Sequence, residues 1–114
     1  MRDYGTPPSK EAMPPEVTDD VQYLFAVRLN LEKELRRVFE SRLGQQPENR
    51  PIPLARMIGP LVETDIVEPR LAHAVREVYS VCSPAIHGSD VTAAQVAFVK
   101  DVAPGLVSAL RTIV

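Results

Sequence analysis

A histidine followed at once by glycine closes an apolar, helix-like run, Val81-Cys82-Ser83-Pro84-Ala85-Ile86-His87-Gly88. An imidazole in that place has three possible roles. It can cap helix carbonyls as a cation at the negative end of the dipole. It can pack at the end of a bundle. It can act as general acid or base, because histidine titrates near neutrality. A polar line leads up to it: Arg76, Ser80, Ser83 and His87 fall at i, i+4, i+7 and i+11 on the border of an apolar helix face. In a regular helix Arg76 and His87 lie about 16 Å apart. They meet only across a symmetric dimer, or if Pro84 redirects the helix end.

A second anomaly sits upstream. At 100° per residue, Arg28 falls inside an apolar stripe, between the directions of Leu24 and Phe25, and Glu32 follows one turn later at the stripe's edge. Residues four apart on a helix are neighbours. Burying such charges costs several kcal/mol unless they are paired and hydrogen-bonded. The pair therefore reads as a half-buried ion pair fixing helix register, as Arg28 snorkelling to the rim, or as part of a polar pocket shared with another helix. His73 lies off the stripe and reads as exposed. Cys82 lies on it and reads as a small hydrophobe. One cysteine and two distant histidines make a metal site an unfavoured expectation, and no cofactor is expected.

Four helices must position these residues. The first spans about Asp19–Leu43, with Thr18, Asp19 and Asp20 as N-cap candidates and Gly44 as the stop. Leu24, Val27, Leu31, Leu35 and Val38 recur at three- and four-residue spacing, and Val21, Phe25, Phe39 and Leu43 widen that face. The second runs from about Pro53 to Glu63, with Leu54, Ile58, Leu61 and Val62 apolar and a kink or break expected at Gly59-Pro60. The third begins near Glu68, with Pro69 in its first turn. Its stripe is Leu71, Ala74, Val75, Val78, Tyr79, Cys82, Ala85 and Ile86. Pro84 should disturb its last turn, and Gly88 suits a left-handed C-cap. The fourth runs from about Thr92, capped by Asp90 or Thr92, along Val96, Val99, Ala103, Leu106, Leu110 and Ile113, with a kink expected at Pro104-Gly105. No segment reads as a strand. An all-α, antiparallel four-helix bundle follows.

Composition sets the outer limits. A chain of 114 residues, 45% hydrophobic and 25% charged, suits one domain with its own core. Residues 1–16 read as a proline-rich tail or linker, and 17–114 as the bundle. Neither a signal peptide nor a stretch of about 18 apolar residues is evident, so a cytoplasmic location is expected. The net charge of −2 disfavours a generic nucleic-acid binder. Ten of the thirteen basic residues are arginine, the side chain suited to bidentate phosphate or carboxylate contacts.

Arg28-Leu29-Asn30-Leu31-Glu32 with Glu34-Leu35-Arg36-Arg37 forms one part of a pattern, and Ala74-Val75-Arg76-Glu77-Val78 leading to Cys82-Ser83-Pro84-Ala85-Ile86-His87-Gly88 the other. Together these resemble the HEPN superfamily, closest to bacterial HEPN-like domains whose third helix ends in A-[IV]-H-G. The resemblance covers about residues 20–114 and rests on short, tolerant motifs. It implies a homodimeric four-helix bundle. Many HEPN proteins are metal-independent RNases of bacterial defence systems, with four to six residues between a motif arginine and the histidine. His87 matches that histidine, but Ser80, Val81 and Cys82 occupy the arginine positions. Ser83 stands where a polar residue often follows. The departure implies a non-enzymatic module for dimerisation and for binding a protein partner or a nucleotide or RNA ligand, in bacterial defence or signalling. Its ligand-binding candidates are Arg28, Glu32, Arg76 and Ser83. Two alternatives stand beside it. One is a metal-independent endoribonuclease using His87, with Arg28 or Arg76 as the displaced cation. The other is a structural bundle unrelated to that superfamily.

Overall fold

A computed structural model describes residues 18–44 and 52–114. Among these are four helices and no strand: α1 (Asp19–Leu43), α2 (Leu54–Glu63), α3 (Pro69–Ile86) and α4 (Ala93–Arg111). This is the all-α four-helix bundle that the periodicity predicts. Nearly all of the tail expected over 1–16 and the loop expected over 44–51 lies outside the described residues.

Local chemistry starts the helices where the sequence places its caps. Extended Thr18 accepts the Val21 N–H on Oγ1 at 3.1 Å, which satisfies one of the orphan donors of α1. Thr92 and Gln95 form a reciprocal capping box at α4, with bonds of 3.1 and 2.8 Å. Pro53 stands just outside α2 as its N-cap, and Pro69 opens α3. The break weighed for Gly59-Pro60 does not occur, and the disturbance expected at Pro84 and the kink expected at Pro104-Gly105 do not interrupt their helices. Helix α2 continues through Pro60, α3 through Pro84 and α4 through Pro104. Each proline forfeits one helical hydrogen bond. Buried neighbours on the same helices, Leu61, Cys82 and Ala103, hold the path.

Two helices end in the same backbone device. After α3, Gly88 N–H bonds Ala85 O and Ser89 N–H bonds Pro84 O, with Gly88 at φ +91°. After α2, Asp65 N–H bonds Val62 O and Ile66 N–H bonds Leu61 O, with Asp65 at φ +58°. Both are Schellman stops, which need a left-handed residue just past the cap. The glycine of the His87-Gly88 pair thus has a backbone reason to be there.

The core takes Leu24, Leu31, Leu35 and Val38 from α1, Met57, Ile58 and Leu61 from α2, Val75, Val78 and Cys82 from α3, and Val99, Ala103 and Leu110 from α4. Each fully buried leucine contributes about 1.5–3 kcal/mol of transfer free energy. Met57 and Ala72 join this core although the apolar spacing did not single them out. Phe25 and Leu43 leave it: they are 51% and 38% exposed rather than widening the α1 face inward.

Helix direction follows from cross-helix partners. Asp20 pairs with Lys100, Glu34 with Arg111, and Arg42 with the Val114 carbonyl. The partners advance together, so α1 and α4 run parallel. Helix α3 is joined to α4 by the short 87–92 connection and runs antiparallel to both. Helix α2 packs on α1 and α3 and makes no close backbone approach to α4. By length and composition alone α4 suffices to cross a membrane, with a mean hydropathy of 1.2, yet its inner stripe is part of the bundle core.

Candidate functional site

Arg28 and Glu32 sit on the side of α1 that meets α3, and there they close a polar cluster with Tyr79. Arg28 Nε donates to the Tyr79 hydroxyl at 3.2 Å, and that hydroxyl donates to Glu32 Oε2 at 2.8 Å. Arg28 Nε is itself 3.4 Å from Glu32 Oε2, and its guanidinium carbon lies 5.4 Å from the centre of the Tyr79 ring. The pair is half-buried, with side-chain exposures of 25% and 23%. Each charge has an opposite charge and a hydroxyl within reach, which is the condition for keeping charge at a core edge. The Tyr79 hydrogen bond raises the Arg28 pKa, burial opposes it, and the Glu32 charge adds to the rise. Arg28 is therefore a permanent cation whose Nε is already spent.

Tyr79 is the residue that the apolar spacing misread. Its ring lies on the core stripe as expected, but its hydroxyl ties two helices together. The signal was available in principle: tyrosine carries a polar tip that needs a partner when its ring is buried. Beneath the cluster, Cys82 is fully buried. Burial pushes its thiol up to about 11, against a smaller lowering by Arg28. A thiol so protonated is a packing group and a poor nucleophile.

The remaining candidates do not join this cluster. His87 is exposed and forms the C-cap of α3, its backbone N–H donating to Pro84 O at 3.0 Å. It lies eight residues beyond Tyr79, about 12 Å along the axis. Arg76 is exposed and Ser83 half-buried, and no hydrogen bond or ion pair among the described residues links either side chain to Arg28, Glu32 or Tyr79. Ser80 turns its hydroxyl back to Glu77 O at 2.7 Å. His73 is exposed, 3.6 Å from Glu77. No three His, Cys, Asp or Glu residues group as metal ligands among the described residues.

The opposite flank of α1 holds a second polar network, which the apolar spacing did not reveal. Glu34 accepts from Arg37 Nε at 3.0 Å and from Arg111 Nε at 3.2 Å. Arg37 also donates to the carbonyls of Ile113 and Leu110 at 3.0 and 2.9 Å, and Arg42 to that of Val114 at 2.9 Å. Arginines of α1 thus bond the carbonyl of Leu110 in the last turn of α4 and those of Ile113 and Val114 just past its end, beside the negative end of its dipole. Burial alone would raise the Glu34 pKa, but the hydrogen bonds and charges of Arg37 and Arg111 together lower it.

No family model, curated protein or solved structure matches this chain.

Proposed function

We propose that this chain is a non-enzymatic, HEPN-like helical module that pairs with a second copy through the α1–α3 face. There it holds a protein partner or a nucleotide-type ligand, in bacterial defence or signalling and within the cytoplasm. The observation that carries this reading is the exposure of Phe25 (51%) and Leu29 (47%), each within a turn of Arg28 on α1. Large apolar side chains standing together beside a polar rim mark an interaction surface. The separation of His87 from the Arg28–Tyr79 cluster, about 12 Å along α3, supports the non-enzymatic part, since the two stand too far apart to act on one scissile phosphate within a chain. So does the helix stop at His87-Gly88, which gives the family-like motif a purely structural use.

The test has two arms. Light scattering on the full chain should give a dimer that Phe25→Ser with Leu29→Ser converts to a monomer. A wild-type monomer at every concentration would refute the pairing. Mixed RNAs incubated with the chain in EDTA should stay intact. Cleavage that disappears in His87→Ala would instead establish the endoribonuclease reading.

A further inference from the structure

The α1–α4 flank carries a concavity of about 330 Å³, on the side of α1 away from Tyr79. The polar groups of its lining, unlike those of the Arg28–Glu32–Tyr79 cluster, do not bond one another. Asn30, Ser108 and the half-buried Tyr23 line the groove, the first two exposed to solvent, and none of their side chains has a hydrogen-bond partner among the described residues. Arg111 spends only Nε on Glu34, so both of its terminal nitrogens are unpaired among the described residues. Val27, Ala103, Pro104 and Val107 supply the groove's apolar surface.

Charge decides what fits. Glu34 is shared between two guanidiniums, those of Arg37 and Arg111. Arg37 turns its remaining nitrogens to the carbonyls of Leu110, in the last turn of α4, and Ile113, just past it. Arg111 is then the surplus cation, placed at one end of an apolar trough. At the other end Lys100 is tied to Asp20 at 3.4 Å, so it adds no comparable surplus. The groove is open to solvent and its lining mixes apolar and polar groups; at about 330 Å³ it has room for a small molecule.

We infer that the α1–α4 groove binds a small amphipathic carboxylate, its anionic head on Arg111, Ser108 and Asn30 and its apolar body along Val27, Ala103, Pro104 and Val107. The planar fork of Arg111 matches a carboxylate, while Ser108 and Asn30 supply the remaining donors. This site is independent of the pairing surface, since Phe25 and Leu29 do not line it.

Phenylacetate titrated into the ¹⁵N-labelled full chain tests this. Saturable shifts should appear at Asn30, Val107, Ser108 and Arg111, with a Kd in the millimolar range expected of so small a probe. Phenylacetamide, which lacks the charge, should bind roughly tenfold more weakly or not at all. Arg111→Gln and Ser108→Val should each weaken phenylacetate binding while keeping a dispersed, folded spectrum, and Arg28→Gln should leave it unchanged. Shifts that never saturate, that map to the Arg28–Tyr79 side, or that persist undiminished in both groove variants would overturn the assignment.

Discussion

The Tyr79 hydroxyl donates to Glu32 across the α1–α3 boundary at 2.8 Å, and through this bond a charge at the core edge is held without leaving the helix surface. The same oxygen accepts from Arg28, so three side chains from two helices act as one unit.

Tyr79→Phe keeps the ring and removes both bonds. It should lower stability by about 1 kcal/mol, below the usual range for hydrogen bonds to charged groups because the cluster is partly solvated. Urea denaturation of the two proteins checks this, with an unchanged m-value as the sign that the native fold survives. An equal loss in Tyr79→Phe and in Tyr79→Phe combined with Glu32→Gln would show that the carboxylate acts through Tyr79.

Glu34 should make stability depend on acid. Its folded pKa is lowered, so its contribution is full above the unfolded value of about 4.3 and is lost as pH falls through the folded value. Glu34→Gln should therefore be less stable than wild type by roughly 1 kcal/mol at pH 7. The gap should narrow below pH 4.3 toward the folded pKa. A gap constant from pH 7 to pH 3 would mean that the carboxylate's charge is not what holds Arg37 and Arg111.

Two helix stops invite opposite substitutions. Asp65 adopts φ +58°, a conformation that glycine enters without strain, so Asp65→Gly should stabilise by about 0.5–1 kcal/mol. Gly88 adopts φ +91°, and an added Cβ there meets no atom within 4 Å. Gly88→Ala should thus cost about 1 kcal/mol through backbone strain alone. Thermal melts read both signs directly.

The Cys82 thiol should be nearly inert in the folded protein. It is fully buried and its pKa is raised to about 11 by burial. Reaction with a disulfide reagent at pH 8 should be slow in buffer and complete in urea. Fast labelling without denaturant would show that α3 opens near its C-terminal end.

Helix positions and most of the core were legible because they rest on local rules. Thr18, Thr92 and Gly88 stand where caps and stops belong, and Leu31, Leu35, Val78 and Leu110 repeat with the helical period. Arg28 was legible as an anomaly because a charge inside an apolar stripe demands a partner. That the partner included Tyr79 was not legible. Periodicity says which face a residue occupies and is silent on what another helix brings to it. Phe25 shows the same limit: its direction on α1 borders the core, but among the described residues it is left at the surface. Glu34, Arg37 and Arg111 read as ordinary surface charges until α1 and α4 are known to run parallel.

That parallel arrangement has a mechanical consequence. The chain enters α1 at one pole of the bundle and leaves α4 at the other, where Arg42 and Arg37 grip the carbonyls of Val114 and Ile113. The two poles are separated by the length of α1, 25 residues or roughly 37 Å. A pull applied between these ends would load the α1–α4 seam in shear. The Asp20–Lys100, Glu34–Arg111 and Arg42–Val114 rungs would bear it together instead of peeling one after another.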